Sequence, residues 1–168
     1  MSATLSAYAV ANAAHVSQSW AWKARDAGII HSPYTEEDVI ALRVYACVAQ
    51  LYWPGERRVR SEKHGLELWQ SLAVNAAREA MSAPATNPAT VLWVLQDATY
   101  LATTAGERAA LELDQLQGRS AFRVPLGEWI AEVPTSLKRM PVSRPRKHRQ
   151  AELPAEPAHA ASGTPSAP

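Results

Sequence analysis

Apolar positions recur at helical spacing through the first half of the chain. In residues 5–14, "LSAYAVANAA", Leu5, Ala9 and Val10 fall on one side and predict a short helix. "HVSQ" interrupts the pattern. Ser17 is a good N-cap for a second helix running to about Ala27, and Gly28 stands where a left-handed C-terminal residue belongs. After the connector "IIHSPY", Thr35 caps a third helix and Asp38 answers at its N3 position. Glu36, Glu37 and Asp38 sit at the positive end of its dipole. Val39, Leu42, Val44, Tyr45, Val48, Leu51 and Tyr52 are its apolar set, and "WPG" at 53–55 ends it. Residues 56–65, "ERRVRSEKHG", read as a loop or the polar start of a helix. Residues 66–82 form a long amphipathic helix on Leu66, Trp69, Leu72, Ala73 and Ala76.

Beyond "APATNPA" the period changes. That segment, residues 83–89, carries two prolines and an asparagine and predicts a linker. "TVLWVL" is a short β-rich run, "QDA" a turn and "TYLATT" its return strand. Thr104 and Glu107 make a capping box for the helix "AGERAALELDQLQG". "AFRVPL" alternates Phe122, Val124 and Leu126 as a half-buried strand, with Pro125 suggesting a sheet edge, and "GEWIAEVP" completes a small ββαβ unit over residues 90–134. From residue 135 Pro, Ala, Ser and charge dominate without apolar period, which predicts a disordered tail to residue 168. The expectation is an α+β chain, mainly α, with a helical unit over residues 4–82, a linker and the small α+β unit.

The second predicted helix holds two tryptophans two positions apart, which puts them on different faces. At 100° per residue Trp20, Ala21, Ala24, Ala27 and Gly28 gather on one side, while Gln18, Ser19, Trp22 and Asp26 gather on the other, flanked by Lys23 and Arg25. Trp20 is therefore the core tryptophan, and Trp22 projects outward. Three readings of Trp22 stand open. It lies over a thymine methyl or a sugar; it packs against the second unit or another copy of the chain; or the "WPG" loop covers it.

Charge sharpens this picture. Net charge is +1, but unevenly spread. Residues 1–82 are balanced, 83–136 hold 3 basic and 6 acidic side chains, and 137–168 hold 6 and 2. This excludes a uniformly basic nucleic-acid coat, so any such binding rests on local patches. The single cysteine, Cys47, cannot form an internal disulfide and fits a reducing, cytoplasmic setting; its place in an apolar helix favours a small packed residue over a reactive thiol. No Lys or Arg precedes Lys23, so a secretory signal is not expected, and no window reaches the ~18 apolar residues of a membrane span. Nucleophile-elbow, zinc-protease, P-loop and dinucleotide motifs are absent, and the five histidines share no metal-ligand spacing. No catalytic residue, metal site or cofactor is predicted, and the chain is not expected to be an enzyme.

Helix, tight turn, helix, short connector and acid-capped helix is the order of a helix-turn-helix with a supporting third helix. Ala11, Val16, Ser17, Gly28, Ile29, Tyr34, Asp38, Val39 and Leu42 stand where the winged-helix DNA-binding domain of the MerR-like regulators has its small alanine, "G-V-S" turn, "G-L-I" ending and "Y-t-x-x-D-v-x-x-L-r" stretch. Residues 4–50 resemble that domain. His15 replaces the family's turn glycine, Ser19 and Trp22 stand where arginine is usual, and "IIHSPY" leaves room for only a short wing. The resemblance implies a transcriptional regulator or mobile-element accessory protein that binds double-stranded DNA as a homodimer. Ser17, Gln18, Ser19, Trp22, Lys23 and Arg25 would face the DNA, with Arg57, Arg58, Arg60 and Lys63 as the nearest further phosphate contacts. The alternative is an interaction or scaffold module that keeps this shape and binds protein through Trp22 and Trp69, or through residues 90–134.

Overall fold

A computed structural model of the chain describes residues 5–55 and 66–139. They form an α+β structure, mainly helical, with six helices and one three-stranded antiparallel sheet. Helix α1 spans Ala7–Ala13, and Ser6 caps it by accepting a hydrogen bond from the Ala9 N–H at 3.1 Å. The chain then reverses at His15, which takes a left-handed φ of 57°. Asn, Asp and His are the non-glycine residues that tolerate this region best, so the turn closes without glycine. Helix α2 covers Gln18–Asp26. The Ser17 hydroxyl does not cap it; its Oγ instead lies 2.8 Å from that of Ser19. Gly28, at φ 71°, ends the helix as its position suggests.

The connector at 29–34 makes no hairpin. Among the described residues its one ladder contact is a bridge between Tyr34 and Leu5. Helix α3, Glu36–Val48, opens on the expected capping box, with the Asp38 carboxylate accepting from the Thr35 N–H at 2.9 Å. Eight of its residues are buried, because α1, α2, α4 and α6 all pack around it. Helix α4, Leu68–Ser82, lies between α3 and the sheet.

Strands β1 (Val91–Val94), β2 (Thr99–Ala102) and β3 (Phe122–Val124) lie in the order β2-β1-β3. Leu92 pairs with Val124 and Val94 with Phe122, so these side chains share the core face. Trp93 stands opposite Tyr100 and Arg123 on the other face. Helix α5, Ala105–Asp114, starts on the predicted box: Thr104 Oγ1 accepts from the Glu107 N–H at 3.1 Å, and the Glu107 carboxylate accepts from the Thr103 and Thr104 N–H groups.

Helix α6, Leu126–Lys138, departs from expectation, since the sequence pattern has "GEWIAEVP" completing the ββαβ unit and the tail starting at residue 135. Pro134 lies inside this helix. Leu126, Trp129, Ile130, Val133 and Leu137 make its inner stripe at spacings of three and four, and that burial outweighs the missing N–H. Gly127 permits the crossing that seats α6. A Cβ there would overlap the Asn87 carbonyl oxygen and come within 2.8 Å of the Thr90 nitrogen. Segment 83–89, expected as a linker, runs through that contact. Its Asn87 side chain donates to the Thr103 carbonyl at 3.0 Å, and the Gly127 N–H donates to the Thr90 carbonyl at 2.8 Å. A continuous apolar core joins residues of the helical segment to Leu92, Val94, Val124, Leu126 and Val133. No helix among the described residues is long and apolar enough to cross a membrane.

Candidate nucleic-acid interface

Helix α2 is held by its small residues. Ala21 and Ala24 are buried, which brings its backbone close to α1 and α3, whereas Gln18, Ser19, Trp22, Lys23, Arg25 and Asp26 are exposed. The phasing of the two tryptophans holds. Trp20 is half-buried, edge-on to Tyr45 at 5.7 Å between ring centroids, and burial pushes the Tyr45 phenol pKa upward. Trp22 is 57% exposed. The reading in which the "WPG" loop covers Trp22 fails, because Trp53 turns inward to Trp69 and Phe122, at 5.3 and 4.5 Å.

Both basic side chains of α2 lean on the tryptophans three positions earlier. Lys23 Nζ is 4.6 Å from the Trp20 ring centroid, and the Arg25 guanidinium is 5.6 Å from that of Trp22. Arg25 also reaches Asp26 at 3.5 Å. Exposed contacts of this kind are worth about 0.5–1 kcal/mol each, so either cation can swing to another anion at small cost. Ser17, Gln18, Ser19, Trp22, Lys23 and Arg25 thus belong to one helix and its cap. Arg57, Arg58, Arg60 and Lys63 lie outside the described residues.

No family model, curated protein or solved structure matches the chain.

What the surface can bind is therefore read from its side chains. The described residues carry nine basic and twelve acidic side chains, so they hold no net positive charge to attract a polyanion. Attraction must come from where the cations sit, and α2 offers two of them beside a single acid. Sequence reasoning missed the group that anchors this helix. Arg78 on α4 donates to the Ile29 carbonyl at 2.6 Å and to the Asp38 carboxylate at 2.7 Å. Asp38 is buried and Arg78 half-buried, so one guanidinium ties the chain leaving α2 to the start of α3 and to α4. Its trace in the sequence is faint, since Arg78 lies on a mixed face of its helix with Ser71, Val74 and Asn75 rather than on the apolar one. A cleft of about 480 Å³ opens beside this tie, lined in part by Gly28, His31, Asp38, Asn75 and Arg78.

Trp69, a candidate protein-binding residue, is buried against Trp53 and Phe122 and offers nothing to a partner. Cys47 is half-buried; burial pushes its thiol pKa upward and the nearby Arg43 charge partly opposes this, so the thiolate is disfavoured. Among the described residues no three His, Cys, Asp or Glu side chains gather to hold a metal ion.

Proposed function

We propose that this chain is a sequence-specific DNA-binding protein of the MerR-like, winged helix-turn-helix type, with α2 as its recognition helix and the short connector at 29–34 as a reduced wing. It acts in the cytoplasm as a transcriptional regulator or a mobile-element accessory factor. The observation that carries this reading is the uncovered face of α2. A helix anchored through Ala21 and Ala24 beside a left-handed turn presents Gln18, Ser19, Trp22, Lys23 and Arg25 together, and all five are exposed. Gln18 and Ser19, on the first turn, suit base edges in a major groove, where glutamine pairs bidentately with adenine. The Trp22 ring suits a thymine methyl or a sugar. Lys23 and Arg25 suit phosphates. One helix of nine residues reads few bases, which makes a homodimer on a two-part site the expected form.

Fluorescence anisotropy with labelled duplexes over a salt series tests this. Lys23→Ala should weaken binding on all sequences and reduce the slope of log K against log salt by about 1, whereas Gln18→Ala should change the ranking of sequences. A chain that leaves every duplex unbound at about 50 mM salt refutes the reading.

The 57% exposure of Trp22 and the acidic excess of the described residues favour one second reading, a protein-interaction module. Its signature would be self-association that is insensitive to salt and lost in Trp22→Ala, with no DNA binding.

A further inference from the structure

A groove of about 800 Å³ opens where the stretch before α1, the connector before α3, the first turn of α3, the end of α4 and the last turns of α6 converge. That volume lies in the range of pockets that take small molecules. Leu5, Tyr34, Met81 and Leu137 pack on the core and remain half-buried, and the side of each left open lines the groove. Pro134 adds a further apolar wall. The bridge between Leu5 and Tyr34, with the Leu5 N–H donating to the Tyr34 carbonyl at 3.4 Å, fixes two of these walls to each other. Charge sits on separate elements. Glu36 and Glu37 line the groove from α3, and Lys138 lines it from α6. Among the described residues Glu36 and Lys138 have no ion-pair partner, and the partner of Glu37 is the Arg78 guanidinium at 3.9 Å. No ion pair joins the two sides, so the carboxylates and the ammonium are left to a ligand.

We propose that this groove binds a short apolar peptide with free ends, its ammonium on the Glu36 and Glu37 carboxylates and its carboxylate on Lys138. The inference is independent of the DNA-binding reading above. Charge complementarity selects the class. A polyanion meets two carboxylates. An apolar cation satisfies those carboxylates but sets its own charge against Lys138. A neutral apolar ligand uses the walls and leaves all three charges unmatched. A peptide with free ends carries an apolar middle and one charge of each sign for the side that lacks it. An extended tripeptide separates its ends by about 10 Å, which lets each end reach a different element. Burial of its side chains against Leu5, Tyr34, Met81 and Leu137 supplies most of the affinity. The charged ends set its direction, because exposed ion pairs contribute little each.

The test titrates the full chain with trileucine and follows its amide NMR signals. The signals of Leu5, Tyr34, Met81 and Leu137 should shift and saturate below about 5 mM peptide. N-acetyl-trileucine and trileucine amide should each bind about threefold more weakly, since each lacks one ion pair. Glu36→Gln/Glu37→Gln should weaken trileucine by about the same factor and abolish its advantage over the acetylated peptide. Lys138→Ala should do so for the amide. Arg123→Ala, an exposed cation on the sheet, should change neither. Circular dichroism of the variants should match the parent, since Glu36, Glu37 and Lys138 are exposed. The blocked peptides keep the test decisive without any change to the protein. Absence of saturable shifts in the groove, or blocked peptides that bind as tightly as trileucine, overturns the inference. Groove signals that move on dilution of the protein alone show a second copy in the groove and overturn it as well.

Discussion

Removing the Arg78 guanidinium should unsettle the junction of α2, α3 and α4 more than any surface change. Arg78→Ala takes two short charge-assisted hydrogen bonds from the fold, at 2.6 and 2.7 Å. It leaves the Asp38 carboxylate, 6% exposed, without its cation and the Ile29 carbonyl without that donor. Breaking a buried pair from one side costs about 3–5 kcal/mol. Two facts reduce that figure. Arg78 is itself 27% exposed, and Asp38 keeps the Thr35 N–H at 2.9 Å. The expected loss is about 2–3 kcal/mol, and for a domain of this size a fall in Tm of about 10 °C. Urea denaturation followed by tryptophan fluorescence measures it, with the slope m unchanged. The Asp38→Ala and Asp38→Ala/Arg78→Ala variants complete a cycle. The double variant should cost less than the sum of the singles by at least about 1 kcal/mol, because it leaves no bare buried charge. A loss below about 0.5 kcal/mol for Arg78→Ala, or full additivity in the cycle, would refute the reasoning by showing Asp38 satisfied without Arg78.

Two glycines should respond in opposite directions to the same substitution. Gly127→Ala forces a methyl onto the backbone of Asn87 and Thr90 and should cost at least about 2 kcal/mol, whereas Gly106→Ala, in α5 with no atom within 4 Å, should stabilise by about 0.5–1 kcal/mol; thermal denaturation of the pair checks both signs. Glu107 should titrate below its ordinary 4.5, chiefly because the Thr103 backbone N–H, and then the Thr103 hydroxyl and the Thr104 N–H, donate to its carboxylate. Its contribution to stability is thus present above 4.5 and fades as pH falls through the lowered folded-state value. Carboxyl-carbon NMR follows the titration, and Thr103→Val should move the midpoint back up; an unchanged midpoint would remove the hydroxyl from the account.

Much of the fold could be read from local chemistry. The capping boxes at Thr35 and Thr104, the hairpin in "TVLWVLQDATYLATT" and the opposed tryptophans of α2 depend on neighbours within four residues or one turn. Such signals survive whatever the rest of the chain does. Helix α6 was missed because Pro125 and Pro134 carry breaker signals, while the stripe of Leu126, Trp129, Ile130, Val133 and Leu137 extends across the point where polar composition takes over. Here tertiary burial overrides a local preference. Trp69 shows the same limit from the other side. Its helical phase marks an apolar face, but only the arrival of Trp53 and Phe122 decides that this face is sealed.

The candidate site divides along the same line. Which side chains α2 turns outward follows from its 100° period and its small inner residues, so Gln18, Ser19, Trp22, Lys23 and Arg25 were identifiable from sequence. That Trp22 stays 57% exposed, that Arg78 braces the helix from 49 residues away, and that Ser136 meets His15 across 121 residues are decisions of the folded chain. Contacts over such separations arise from how α3 gathers four helices around itself. No local pattern encodes that arrangement, because each partner contributes only a face, and the fold chooses which faces meet.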